Sequence, residues 1–534
     1  MTDHVRKEMR KKGLEGERLF ARSFGGTTMG VDGLIIAVEV DSAAGLPAFD
    51  IVGLPDTAVR ESKERVRTAI RNSGIQLRQE KVTINLAPAG IRKDSPGLDL
   101  PIAVGLLAAY GVVPADCLQT SFFAAELSLE GECRPVRGIL PMVIAAREKG
   151  LTSVFVARGN ANEALLVEGV TVYVIDCLHE VVQFCNGQES LTPAVPSMEE
   201  AASVLRDDFA DVQGQFQAKR ALEIAAAGGH NLLMIGVPGS GKTMLARRLS
   251  SILPRLSREE ALEVTKIYSI AGLLPAGGGL VQERPFRSPH HTTSMVAMIG
   301  GGSVPRPGEV TLAHHGVLFL DELPEFSKAT LEVLRQPLED RAVTISRVHA
   351  TLTFPSSMIL ICAMNPCPCG YYGDESGGRS CECSPSEIRR YTRKISGPLL
   401  DRIDIHIRVP RVAYQELASK RRAEDSATIR GRVERARQRQ LARLQPYGRF
   451  CNAQMNHTIL RETCQLTGEA QSLLEMAFRR MSLSARSYDR IIKVARTIAD
   501  LENPEDGAEA AAALGPQHIA EAIGLRSDIG LAVE

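Results

Sequence analysis

Residues 231–252 run Asn231-Leu-Leu-Met-Ile-Gly236-Val-Pro-Gly-Ser-Gly241-Lys242-Thr243-Met-Leu-Ala-Arg-Arg-Leu-Ser-Ser-Ile252, and their reading decides the fold. Apolar residues, then a glycine turn, then a run with helical periodicity predict a buried strand, a loop and a helix. The turn, formed by Gly236, Val237, Pro238, Gly239, Ser240, Gly241, Lys242 and Thr243, fits G-x-x-x-x-G-K-S/T. Glycines let backbone amides curl around phosphate oxygens at the positive end of the following helix. Lys242 can then reach the β- and γ-phosphates of ATP, and Thr243 can ligate Mg2+. A flexible glycine turn with no ligand is the alternative; the flanking strand and helix count against it.

Further along, Gly316-Val-Leu-Phe-Leu-Asp321-Glu322 supplies an apolar strand that ends in two carboxylates. Asp321 suits the Mg2+ shell and Glu322 suits polarising an attacking water. Such a sequence alone is weak, since many strands end in acids; its place after a phosphate loop gives it meaning. A third apolar strand, Met358-Ile-Leu-Ile-Cys-Ala-Met364, ends in Asn365, whose amide can orient water against a γ-phosphate. The competing reading is an Asn in the turn before Pro366. Arg402, in Gly-Pro-Leu-Leu-Asp-Arg-Ile-Asp, is the candidate arginine finger, a fixed charge for the transferred phosphoryl group. Arg486 opens a helical stretch and is the candidate second sensor, with Arg490 able to exchange roles with it; an ordinary surface arginine is the alternative for both Arg402 and Arg486.

Near-continuous apolar strands separated by helices predict a parallel sheet covered on both faces over residues 207–410. Strands then vanish, and residues 411–525 read as helical. Before this region, residues 24–185 alternate β-rich runs (LIIAVEV, KVTINLA, VFVA, VTVYVI) with helical ones, an α/β or α+β domain. Residues 186–206 read as a linker. The charged segment 1–23 and residues 526–534 read as tails. The first lacks the apolar core of a signal peptide, and no apolar run reaches the ~18 residues of a membrane span. The expected location is therefore cytoplasmic, with no membrane partner. Lys+Arg and Asp+Glu both number 63, so net charge argues neither for nor against nucleic acid.

The order RSPHHT, GGGSVPRPGEV, LPEF, MNPCPCG and GPLLDRIDIHI resembles the Mg-chelatase-like AAA+ ATPases of the YifB/ComM family, across residues 24–525. The resemblance implies an α/β P-loop AAA+ core with a helical C-terminal lid of the Mg-chelatase type. It implies a Lon-protease-like (ribosomal S5 domain 2-like) N-terminal domain before the core. It also makes residues near 284–310 an insert and VTISRVHATLTF a hairpin, both turned toward a ring's pore. The implied activity is that of a hexameric ATP-dependent DNA helicase driving branch migration in natural transformation or recombination, with DNA and further copies of the chain as partners. In the N-terminal domain Met142 stands where an active Lon protein carries a lysine, and Ser95 matches no active-site pattern, so no protease is expected.

Cys367-Pro-Cys369 and Cys381-Glu-Cys383 could together close a tetrahedral Zn2+ site, although C-x-C is tighter than the usual knuckle. Unliganded or redox-sensitive thiols are the alternative. With nothing suggesting export, the eleven cysteines are expected as reduced thiols or metal ligands rather than disulfides. Arg430, Arg432, Arg435, Arg437, Arg439 and Arg443 make a basic helix, expected to face solvent. Arg284, Arg287, Arg306, Arg347 and His349 are candidate phosphate contacts in the inserts, with local ion pairs as the equal alternative. His290 and His291 read as structural or pore-lining. Two further functions compete with the DNA motor. One is a protein-remodelling ATPase like the Mg-chelatase motor subunit, and the other is a nucleotide-dependent switch that does not translocate.

Overall fold

The computed structural model describes residues 19–195, 207–275, 278–302, 305–347, 350–374, 379–412, 416, 423–481, 484–502 and 513–526. They form two compact units, Met1–Glu200 with Ala261–Val281, and Ala201–Glu260 with Gln282–Glu534. No described helix is long and apolar enough to cross a membrane.

In the first unit, β1 (Leu19–Met29), β2 (Asp32–Ala43), β3 (Ala48–Val52) and β4 (Lys81–Ala87) make a mixed sheet in the order β1-β2-β4-β3. Alternation sets its buried face: Ile36, Val38 and Val40 of β2 and Ile84 and Leu86 of β4 are fully buried. Helices α1 (Thr57–Asn72) and α2 (Asp99–Ala109) pack there. A parallel sheet follows, β5 (Ser121–Ala124), β8 (Ser153–Ala157) and β9 (Thr171–Ile175), with the short pair β6 (Glu126–Leu127) and β7 (Cys133–Arg134) beside it in sequence. Helices α3 (Ile139–Glu148) and α4 (Leu178–Cys185) complete this part.

Three readings change here. Strand β1 begins at Leu19, inside the stretch read as a tail, because RSFGGTTM carries little β signal of its own and is ordered by pairing along β2. The stretch read as a linker starts by adding to this unit: Pro193 bridges Tyr173, and the Ala194 amide donates to the Val172 carbonyl at 2.8 Å. Cys117 and Cys185 are disulfide-bonded, against the expectation of reduced thiols. Their separation of 68 residues carries no local signal of proximity.

The second unit is built on a five-stranded, all-parallel sheet in the order β11-β14-β17-β10-β18. Its strands are β10 (Leu232–Ile235), β11 (Phe286–Arg287), β14 (Val317–Leu320), β17 (Ile359–Met364) and β18 (Ile405–Arg408). Every residue of β10 and β14 is buried, as expected of strands covered on both faces. Helices α5 (Phe216–Gly228) and α6 (Lys242–Ile252) flank β10 in sequence. Helix α7 (Arg258–Ala271) starts in this unit, and its residues from Ala261 onward group with the first. Between β11 and β14 come α8 (Met295–Ile299) and the tiny pair β12 (Gly300–Gly301) and β13 (Arg306–Pro307). After α9 (Arg335–Asp340), strands β15 (Ala342–Arg347) and β16 (Ala350–Pro355) form an antiparallel hairpin in the stretch read as one.

Beyond β17 the chain runs through α10 (Pro385–Thr392) to β18, and the named elements that follow among the described residues are helices. The helices are α11 (Ser426–Leu444), α12 (His457–Thr463), α13 (Gly468–Arg480), α14 (Ala485–Glu502) and α15 (Pro516–Gly524). Helix α11 is not the solvated basic helix expected. Arg430 donates to the Ser251 carbonyl, Arg432 to Glu223 and Glu424, Arg437 to the Ala226 carbonyl, Arg439 to the Asp500 carbonyl, and Arg443 to Asp500 and Asn452. Only Arg435 of the six is exposed. Long guanidinium side chains can reach orphan carbonyls at the ends of neighbouring helices, so a charge run here fastens helices together.

Candidate nucleotide and metal site

A parallel sheet leaves its binding crevice outside the carboxyl ends of its strands, where adjacent connections diverge. Strand β10 lies between β17 and β18 in this sheet, and the loop Gly236–Gly241 emerges from its carboxyl end. Two glycines there need to be glycine: Gly239 and Gly241 hold φ of +78° and +89°. A Cβ on Gly236 would stand 2.3 Å from the Val409 carbonyl oxygen, so this position too excludes a side chain.

The Lys242 ammonium folds back into its own loop. It donates to the carbonyls of Gly236 (2.7 Å) and Val237 (3.0 Å) and to Asn365 Oδ1 (3.2 Å). Burial lowers its pKa from the ordinary lysine value. Thr243 Oγ1 donates to Asp321 Oδ2 at 2.6 Å, and Asp321 Oδ1 accepts the Glu322 amide at 3.0 Å. The fragments around residues 242, 321 and 365 therefore meet at one strand edge, as the motif spacing required.

Glu322 is exposed, with φ of +52°, a left-handed conformation unfavourable for a side-chain-bearing residue. His291 lies against it, Nδ1 to Oε2 at 3.4 Å, with the His290 ring 4.0 Å away and Phe326 edge-on. The sequence placed the His290-His291 pair no more closely than structural or pore-lining; here it abuts the second carboxylate of the acidic pair. Glu322 and Asn365 share a cleft of about 540 Å3 with Arg390, Tyr391 and Lys394, the last three on or just after α10. Arg390, Tyr391 and Lys394 were not singled out from sequence, nor was Gln215. Gln215 Nε2 ties the Ser240 carbonyl (3.3 Å) to that of Pro410 (2.6 Å), while its buried Oε1 has no partner among the described residues.

Arg402 is not brought to this edge. It precedes β18, whose Ile405 stands level with Leu232, the first residue of β10. Arg402 thus sits at the amino edge of the sheet, opposite the phosphate loop. Its side chain is 8% exposed, bonded to the Pro398 carbonyl at 2.7 Å and to Glu339. Arg486 and Arg490 also part company. Arg486 is exposed on α14, near His457, Phe478 and Asp489, whereas Arg490 turns inward to Asp404 at 3.5 Å.

The four paired cysteines do converge. Sulfur separations are 3.3 Å for Cys367–Cys369, 3.7 Å for Cys367–Cys381 and 3.6 Å for Cys369–Cys381, and the Cys369 amide donates to Cys383 Sγ at 3.4 Å. Thiolates at ~2.3 Å from a tetrahedral Zn2+ stand ~3.8 Å apart, so the set fits that ion. Amides of Gly370 (3.2 Å) and Tyr372 (3.3 Å) also point at Cys367 Sγ, the pattern that favours a thiolate. Against desolvation, amides of Tyr371 and Glu382 bring the Cys369 thiol down to about 6.

Among the insert residues, Arg284 pairs with Glu260 (2.7 Å) and Arg287 with Glu309 (2.7 Å), the local ion pairs that were one of the two readings. Arg306 is exposed. His349 and the side chain of Arg347 lie outside the described residues. In the first unit Ser95 Oγ accepts the Gly97 amide at 3.2 Å, and the Met142 side chain is buried.

Residues 208–417 match the family model described as magnesium chelatase, subunit ChlI; residues 38–160 match subunit ChlI of Mg-chelatase, and 423–526 the ChlI C-terminal model. The chain is 42% identical over 509 residues to competence protein ComM of Haemophilus influenzae, covering 94% of this chain and 97% of that one. It is 42% identical over 501 residues to YifB of Escherichia coli, covering 93% and 95%. A shorter stretch of 164 residues is 29% identical to Lon protease 2 of Bacillus subtilis, covering 28% of this chain and 29% of that one.

Proposed function

Because this chain belongs to the YifB/ComM family of Mg-chelatase-like AAA+ ATPases, we propose that it is an ATP-hydrolysing DNA motor, working as a homo-hexameric ring that drives branch migration. One observation carries the ring. Lys242, Thr243, Asp321 and Asn365 gather at the carboxyl edge of the sheet, while Arg402 lies at the opposite edge and can serve only a neighbour's nucleotide. In this reading Gly236–Thr243 cradle the triphosphate, Thr243 and Asp321 hold Mg2+, Glu322 polarises water, Asn365 orients it, and Arg402 and Arg486 stabilise the transferred charge. The competence name of the ComM relative supports DNA as the substrate and the cytoplasm as the setting.

Zn2+ held by Cys367, Cys369, Cys381 and Cys383 would act structurally, pinning the loop that joins Asn365 to α10. Arg390 and Lys394, which face Glu322, would be fixed by the same anchor. The Lon-like N-terminal domain of this reading is not a protease, since among the described residues Ser95 Oγ is hydrogen-bonded to the Gly97 amide and not to a base.

Strand displacement on a three- or four-way DNA junction tests the proposal, wild type beside Lys242→Ala and Glu322→Gln. ATP-dependent displacement by wild type alone is the expected result. ATP turnover with junctions untouched at every salt concentration would sink the DNA motor and leave the ATPase.

A further inference from the structure

In the first unit, helix α1 buries one face through Val59, Val66, Ala69 and Ile70 and leaves the other open. Along that open face stand Arg60, Lys63, Arg67 and Arg71. Steps of three, four and four residues bring side chains round to the same side of a helix, so the four form one row. At 1.5 Å per residue the row is ~16 Å long. Arg60, Arg67 and Arg71 are exposed, and Lys63 is half-buried.

The fold makes little use of this row. Arg65, the other cation of α1, turns inward to the buried Asp99 at 2.7 Å. The side chains of Arg60, Lys63 and Arg71 meet no carboxylate and no carbonyl among the described residues. Arg67 has one loose partner, Glu64 at 3.9 Å, and Glu61 lies off the row, 3.8 Å from Arg65. Lys63 with Arg67, and Arg67 with Arg71, are like charges four residues apart, an arrangement that destabilises a helix. Arg60 stands near the amino end, where the backbone dipole disfavours a cation; only Arg71, in the last turn, suits that dipole. Helix α11 is the contrast, since five of its six arginines end on a carbonyl or a carboxylate.

Basic and acidic residues both number 63 in the chain, so this local excess is not a share of a general surplus. A solvated helix face that serves the fold alone mixes the two signs. A line of unpaired cations on a rigid rod matches a regular polyanion. Helix α1 carries no aromatic residue on which an unpaired base could stack, so a single strand finds no platform there. A duplex offers phosphates in a fixed line and asks only for charge. An acidic protein segment would have to order its carboxylate side chains one by one, an entropy cost that a duplex does not carry.

We propose that α1 is a sequence-independent contact for duplex DNA, with Arg60, Lys63, Arg67 and Arg71 set against the phosphate backbone. That the polyanion is DNA rests on the motor reading; the row of cations does not. A contact that reads charge and not bases holds a duplex arm at any sequence, as a motor requires.

The test titrates full-length chain, wild type beside the triple variant Arg60→Gln, Lys63→Gln and Arg71→Gln, against a fluorescent duplex of about two helical turns over a range of salt. Glutamine is a good helix former, so α1 is kept. At low salt the variant should bind at least ~10-fold more weakly, and its slope of log K against log salt should be shallower by ~2–3, as expected for three lost phosphate contacts. Arg60→Lys with Arg71→Lys should keep the wild-type slope, because charge alone is used. Tm and ATP turnover without DNA should hold in the triple variant. Unchanged affinity and slope in that variant overturn the proposal, and a Tm lowered by several degrees does the same by assigning the row to the fold. Poly-glutamate or a single strand that binds as tightly as the duplex, and loses as much in the variant, also overturns it. Row-dependent duplex binding with junctions untouched in the strand-displacement assay sinks the motor and leaves the contact standing. Displacement with row-independent affinity does the reverse.

Discussion

Lys242 is turned back into its own loop. Its ammonium spends its three donors on two loop carbonyls and Asn365, so in the proposed reading ATP would exchange those acceptors for phosphate oxygens and free the Asn365 side chain to meet water. Thr243 and Asp321 are likewise bonded to each other at the position where a shared Mg2+ would replace the proton between them. Arg402 is tied to Glu339 at the far edge of the sheet. Because Lys242 and Arg402 lie at opposite edges, no chain can combine its own pair in one pocket. Lys242→Ala and Arg402→Ala should each lower turnover by at least ~10²-fold when assayed alone. Mixed in equal amounts, the two variants should recover activity toward about one quarter of wild type, the fraction of random heterologous interfaces with both groups intact. A mixture no more active than its components would show that the two residues do not serve one shared site.

At the scale of elements, the basic helix α11 is a fastening device. Asp500 of α14 is fully buried and takes Arg443 at 2.6 Å, Arg496 at 2.9 Å and Asn452 at 2.9 Å. Removing the carboxylate strands two guanidinium groups, so Asp500→Ala should cost about 3–5 kcal/mol in denaturant unfolding. A loss within experimental error would mean that the arginines find water instead. The cysteine loop makes the second element-scale prediction. Purified chain should carry one zinc per molecule by elemental analysis, and Cys369→Ser with Cys381→Ser should remove it. Turnover should then fall, because the loop joins Asn365 to α10 and its Gly370 lies against Pro238 of the glycine loop. Metal-free wild type with full activity would leave the cysteines as simple thiols.

For the molecule as a whole, pH dependence has an identifiable source where β18 meets the end of α15. The His406 amide donates to the Leu525 carbonyl at 2.7 Å, and burial with the nearby Arg526 charge brings its imidazole down to about 3. The unfolded chain takes up this proton near pH ~6.5, so stability is whole above that value and falls as pH drops, by up to ~1.4 kcal/mol per unit. The loss ends near the folded value of about 3. Asp404, held low against desolvation by His230 and the cations around it, adds a loss confined below pH ~3.9. Unfolding measured from pH 7 to 4 should show the first slope in wild type and a flatter one in His406→Leu, which also removes a buried Nε2 without a partner.

The strand, glycine loop and helix around Gly236–Thr243 were legible because their pattern is local. Glycines at Gly239 and Gly241, a lysine and a threonine fix one backbone path between a strand and a helix, wherever the rest of the chain lies. The same held for apolar strands ending in Asp321-Glu322 and Asn365, and for two C-x-C pairs close enough in sequence to share an ion. What depends on distant segments was decided only by folding. A single sequence says nothing of which carbonyl or carboxylate an arginine will find, so α11 reads as solvated and proves tied down. Likewise Cys117 and Cys185, and His291 and Glu322, become neighbours only when strand order and packing bring them together. Side-chain type sets what a residue can do; burial and the charges around it, which are properties of the assembled fold, set what it does.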